Sequence, residues 1–226
     1  MTRIVKAPDE RRSELIATAQ RLFYTKGYER TSVSDIVQAV SVAQGTFYYY
    51  FDSKTAVLEA VVAELIAQEQ ALLQEIAADE TLTAISKWKR AIRVVGDWKI
   101  ERKDEMIETA SLLMRDENVL LRHRLRPQAA QMASREFAKI IAQGVEEGVF
   151  TTRFAQESAE IVFAIGKTLN ETLVQLLLNS DKYNNPTTLA RRKLMATQTA
   201  IERVLGATPG SLPIIDEQAL AAWFKD

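Results

Sequence analysis

Residues 31–54 read TSVSDIVQAVSVAQGTFYYYFDSK, and two short helical patterns flank a three-residue break at Ser41-Val42-Ala43. In the first, Val33, Ile36, Val37 and Val40 recur on one helical face. Thr31 and Ser32 stand ready to cap its start, and Asp35 sits near the positive end of its dipole. In the second, Gln44 to Phe51, a 100° wheel puts Phe47 and Phe51 on one side and Gly45, Thr46, Tyr48 and Tyr49 on the other. Two short helices around a tight turn are what a helix-turn-helix requires, and the second is then the reader. Its outward face suits DNA. Glycine permits close approach, hydroxyls bond phosphate oxygens without adding charge, and an aromatic ring can lie on a thymine methyl. The competing reading is an aromatic octapeptide that serves only as core.

Working outward, Leu15, Ile16, Ala19, Leu22 and Phe23 form one stripe of a preceding helix, which Gly27 is expected to end as a left-handed cap. Downstream, Asp52-Ser53 caps a long helix from Lys54 to about Ala78, with an apolar face at Val57, Leu58, Val61, Val62, Leu65 and Ile66. Helical patterns follow at about 81–103, 104–123, 127–147, 155–180, 187–205 and 216–224, with Pro127, Pro186, Pro209 and Pro213 as expected breaks. No stretch alternates as a strand would. The expectation is an all-α chain: a helix-turn-helix DNA-binding domain at 9–68, its motif at about 32–51, then a larger helical domain at 79–226.

Composition narrows the function. Of 226 residues none is cysteine and His123 is the sole histidine, so disulfides, thiol catalysis and the usual zinc or haem ligand sets are excluded. No cofactor, metal or catalytic residue is expected. An enzyme would have to rely on carboxylates such as Asp97, Glu101, Asp104 and Glu108, which are interleaved with Lys99, Arg102 and Lys103 as on a solvated helix face. A helical adaptor fits the long helices but leaves the outward tyrosines unexplained. The net charge of −1 argues against a coat for nucleic acid. Residues 1–54 carry eight Lys/Arg against six Asp/Glu, leaving 21 against 24 for the rest, a slight basic bias where the reader lies. No apolar run is read as approaching a bilayer span, and the start lacks a signal peptide's apolar stretch, so the expectation is a cytoplasmic protein without membrane contact.

A helix ending in KGY, then TS, GTFYYYF, SK and a following Leu58 resembles the TetR family of one-component regulators, over about residues 9–68. The resemblance implies a repressor that binds double-stranded operator DNA and leaves it when a small-molecule inducer binds the helical domain. It implies that Gln44 touches a base edge, that Thr46, Tyr48 and Tyr50 contact phosphates, that Tyr49 meets the groove with Gly45 beside it, and that Lys54 adds a phosphate contact. Thr31 and Ser32 correspond to residues whose backbone amides hold a further phosphate. Two departures stand out: Ser41 replaces a glycine of the left-handed turn, and Ala43 replaces the residue that caps the reader. Trp88, Trp98, Met106, Met114, Met132, Phe137 and Phe163 are candidates to line a ligand pocket, with plain core packing the alternative for each. Helices 155–180 and 187–205 carry surplus apolar surface, including Ile161, Val162, Ile165, Leu169, Leu173, Leu176 and Leu177 on the first and Leu194, Ile201, Val204 and Leu205 on the second. By resemblance they pair with their symmetry mates in a homodimer.

Overall fold

A computed structural model describes residues 7–215 and 217–224. Among these the chain is all-α: α1 (Pro8–Lys26), α2 (Val33–Val40), α3 (Gln44–Tyr50), α4 (Lys54–Ala78), α5 (Ala84–Glu101), α6 (Lys103–Met114), α7 (Val119–Glu146), α8 (Ala155–Leu178), α9 (Pro186–Leu205) and α10 (Glu217–Phe224). Single 3-10 turns lie at Asp116–Asn118 and Ser180–Lys182.

Local chemistry explains most boundaries. Pro8 opens α1 with Asp9 and Glu10 in its first turn, where a missing N–H costs nothing and negative charge meets the dipole. Gly27 ends α1 at φ 86° and ψ 147°. That positive φ calls for glycine, but the extended ψ replaces the left-handed helical cap expected from the sequence. Ser53 Oγ accepts from Ala56 N at 3.0 Å at the start of α4. At the other end of α4, buried Lys87 donates to Ala77 O at 2.8 Å, placing a cation on the negative end of the dipole. Two boundaries move. α7 runs through Pro127, where a break was expected. The break falls instead at Arg115, which is extended, and the buried Asn118 side chain donates to Leu112 O at 2.9 Å, satisfying a terminal carbonyl of α6.

The chain forms two compact units. The first comprises the chain up to Ala67 together with Glu108–Leu125. Its core joins Leu15, Ile16, Ala19 and Phe23 of α1, Ile36 and Val37 of α2, Phe47 and Phe51, and Val57, Leu58 and Val61 of α4 to Leu112 and Leu121. Each such leucine or phenylalanine, fully buried, contributes on the order of 2 kcal/mol. The second unit, Gln68–Ile107 with Arg126 onward, centres on three rings. Trp88 meets Phe137 edge-on at 5.1 Å and Phe137 meets Phe163 at 5.3 Å, packed among Leu73, Ile140, Ile141, Phe150 and Leu205.

α8 corrects one expectation. It is long and apolar enough by length and composition to cross a bilayer, yet only 11% of its apolar stretch is buried. An apolar helix so little covered by its own chain leaves surface for another body to bury.

Candidate nucleic-acid interface

The second helix of the motif is α3, and its orientation follows from two phenylalanines. Phe47 is 0% exposed and Phe51 is buried beside it, with ring centroids 5.6 Å apart. That anchor fixes the opposite face. Tyr48 is 51% and Tyr49 77% exposed, and Gln44 and Gly45 are exposed as well. Thr46 and Tyr50 are half-buried, Tyr50 packing against the core and meeting the Tyr49 ring edge-on at 4.9 Å. A Cβ added at Gly45 would meet nothing within 4 Å. Nothing in the chain itself demands glycine there, whereas close approach by an outside body would.

Both departures in the turn keep the backbone of a helix-turn-helix. Ser41 adopts φ 57° and ψ 46°, a left-handed helical residue bearing a side chain, and its N–H donates to Gln38 O and Val37 O. Ala43 is the N-cap of α3 and supplies no side-chain cap, so the reader begins with its first amides uncapped by Ala43.

α2 is capped reciprocally. Ser32 Oγ accepts from Asp35 N at 3.1 Å, and Ser32 N donates to Asp35 Oδ2 at 2.7 Å. Lys26 Nζ lies 2.7 Å from the same oxygen. The Lys26 hydrogen bond, then the N–H and hydroxyl of Ser32, hold the Asp35 carboxyl well below the usual carboxylate range. Thr31 is buried, its hydroxyl shared between Gly27 O at 2.8 Å and Leu22 O at 3.2 Å. The two amides that the resemblance assigns to a phosphate are engaged within the chain, Thr31 N on Tyr28 O and Ser32 N on Asp35. Lys54 Nζ donates to Tyr28 O at 3.0 Å and sits 4.1 Å from the Tyr28 ring centroid.

Three further residues border the reader. Ser34 and Gln38 are exposed on α2, the Gln38 amide donating to Ser34 Oγ at 3.3 Å. Their signal in the sequence is that both fall off the Val33-Ile36-Val37-Val40 face. Arg12, exposed on α1, stacks on the Phe51 ring at 5.3 Å, a contact between distant positions that no local pattern announces.

The ligand candidates separate. Trp88, Phe137 and Phe163 come together as the ring series, with Trp88 and Phe137 buried and Phe163 half-buried. Trp98 is half-buried under the Arg102 guanidinium, 5.0 Å from its centroid. Met106 belongs to the same unit as these rings, and Met114 to the first unit. Met132 is exposed. On α8 and α9, Val162, Leu176, Leu194, Ile201 and Leu205 are buried within the chain, whereas Ile161 is 49% and Met195 65% exposed.

Residues 15–61 match the family profile described as bacterial regulatory proteins, tetR family. The chain is 43% identical over 58 residues to the HTH-type transcriptional regulator EthR of Mycolicibacterium smegmatis, a match covering 26% of this chain and 27% of that one. It is 34% identical over 56 residues to the HTH-type transcriptional regulator TtgR of Pseudomonas putida, covering 25% and 27%. The chain thus spans about a quarter of the length of these curated relatives. The crystal structure of a TetR-family transcriptional regulator from Pectobacterium atrosepticum shares the fold with a TM-score of 0.67, at 19% identity, over 92% of this chain and 100% of that one. Residues 15–61 thus carry a tetR-type helix-turn-helix, and the chain shares the all-helical fold of solved TetR-family regulators.

Proposed function

We propose that the protein is a repressor that grips a palindromic operator as a homodimer and is released by a small-molecule inducer. The observation that carries this reading is the face of α3: an amide, a glycine and two largely exposed tyrosines on a buried phenylalanine anchor. Gln44 reads a base edge and Tyr49 enters the major groove, with Gly45 allowing the approach. Thr46, Tyr48 and Tyr50 hold phosphates, and the corner at Thr31, Ser32 and Lys54 fixes the register. None of these roles is catalytic, and the protein works in the cytoplasm, where its DNA is.

The homodimer forms through α8 and α9. The support is the small buried share of α8 together with exposed Ile161 and Met195, surface that a symmetric isologous contact would cover. The inducer is taken up among Trp88, Phe137 and Phe163, with Trp98 further along α5 and Met106 on α6 of the same unit. α4 carries no glycine or proline between Lys54 and Ala78 and so acts as a stiff rod from that domain to the reader. An inducer that binds best when the readers are displaced must weaken DNA binding by the same factor as DNA weakens its own. Fluorescence anisotropy with the DNA upstream of the protein's own gene tests this. The expected result is sequence-selective binding that falls steeply with salt; equal affinity for scrambled duplex overturns it.

A further inference from the structure

Within the second unit, the layer of three rings gives way to a layer of small residues. Trp88 and Phe137 are buried and touch edge-on, so a guest meets the rings at their open side, where Phe163 is half-buried. α5 and α7 run antiparallel there, fixed by the Glu147 carboxylate on Ala84 N at 3.0 Å and by Trp88 on Phe137. Past the rings, α5 offers Gly96 one turn beyond Ile92, α7 offers Ala133 one turn before Phe137, and α8 offers Gly166 one turn beyond Val162. Ile92, Ala133, Phe137 and Val162 all belong to the ring cluster or pack against it. The two glycines are half-buried, yet a Cβ added at either would meet nothing within 4 Å. Glycine weakens a helix interior, and neither position has a positive φ or a close neighbour that requires one. Since interiors leave few voids larger than a water molecule, room at two half-buried glycines a turn from the same cluster is a feature to explain.

A polar pair borders this layer. Gln70 lies on the face of α4 that carries Leu73 and Ala77 of the ring cluster, and Lys99 on Glu69 at 2.8 Å sets this stretch of α4 alongside the turn of α5 that follows Gly96. Gln70 is 7% exposed, and its amide donates to buried Glu136, the neighbour of Phe137, across 3.5 Å, the long limit for such a bond. The other Glu136 oxygen is met by Lys139 at 2.7 Å, so the carboxylate does not call for a cationic guest. The Gln70 carbonyl, by contrast, can accept a hydrogen bond. We propose that the space flanked by Gly96, Ala133 and Gly166 beside the Phe163 ring seats the inducer, and that the inducer is a neutral, largely apolar molecule with one hydrogen-bond donor for Gln70. The small residues admit its body, the ring packs on it, and the amide fixes its orientation.

This deepens the inducible-repressor reading and rests on it. The probe is the neutral dye N-phenyl-naphthylamine, apolar with a single N–H, titrated into the full-length protein and followed by its fluorescence. Gly166→Leu fills the space, so dye affinity should fall roughly ten-fold while the melting temperature rises by about 2–4 °C. Gln70→Leu keeps the volume and removes the amide, and should weaken the dye roughly five-fold with the fold retained in circular dichroism. A Gly166→Leu protein that melts below wild type or fails to fold overturns the proposal, because the side chain then had no room. No saturable uptake by the wild type, or unchanged affinity in both variants, overturns it as well. Operator binding separates the two readings: if the dye occupies the wild type as described and does not release DNA, the seat stands and the inducer role fails.

Discussion

Lys54 Nζ, the first residue of α4, donates to Tyr28 O and lies over the Tyr28 ring, tying the start of the long helix to the corner between α1 and α2. Tyr28 in turn packs edge-on against Phe23 at 4.9 Å, and its hydroxyl is 3.4 Å from Thr55 Oγ1. The reader is thus framed by an aromatic ring gripped from both sides. Lys54→Met, which preserves the stem and removes the charge, should cost about 1 kcal/mol. Urea unfolding checks this, and a stability equal to wild type would mean that the cation adds nothing to the frame.

Asp35 makes stability depend on acid. Its folded-state carboxyl ionises below the ordinary value of 3.8 because Lys26 and Ser32 hold the anion. A depressed folded value contributes stability that is fully present above the unfolded value and is lost as pH falls through the folded one. Asp35→Asn should therefore melt at a lower temperature than wild type at pH 7, and the gap should narrow as pH drops below about 4. Thermal scans across that range decide, and a gap independent of pH would assign the loss to shape rather than charge.

Ala43 leaves the reader without a side-chain cap. Ala43→Ser should stabilise α3 by about 1 kcal/mol and tighten operator binding without altering the preferred sequence, because the helix is ordered before it meets DNA. Binding and thermal melts measured together check this. Unchanged values in both would place the start of the helix elsewhere.

Ile161 and Met195 are the probes of assembly. Charges at Leu173 or Ile201 would strike the chain's own packing, since Ile201 is buried and Leu173 packs against the cluster around Leu176. Ile161→Glu or Met195→Glu should instead give a folded monomer at low micromolar concentration with DNA affinity lost. Light scattering and circular dichroism report the two properties separately, and a dimer that survives both substitutions would remove α8 and α9 from the interface.

The fold of α2 and α3 was legible because its signals are local. Phe47 and Phe51 four residues apart, and the reciprocal cap from Ser32 to Asp35, depend on helical periodicity alone. Arg12 on Phe51 and the packing of Leu112 and Leu121 with the α1–α4 core were not legible, since each joins residues distant in sequence. Pro127 misled for a related reason: proline raises the cost of a helix locally, while the actual break at 115–118 is fixed by the Asn118 side chain reaching back to Leu112. The buried residues of α8 and α9 could not be told from their exposed neighbours, because an apolar stripe looks the same whether its own chain or a second copy covers it.

The central claim is that α3 reads DNA sequence, and selection of random duplexes by wild type and Gln44→Ala in parallel tests it most directly. The account predicts that the wild type enriches an inverted repeat with half-site centres about 34–36 Å apart, one turn of the duplex. It predicts that Gln44→Ala keeps the repeat and loses preference at one base position in each half-site, by about 1–3 kcal/mol. Enrichment of no common site by the wild type, or an identical base preference in the variant, would contradict it.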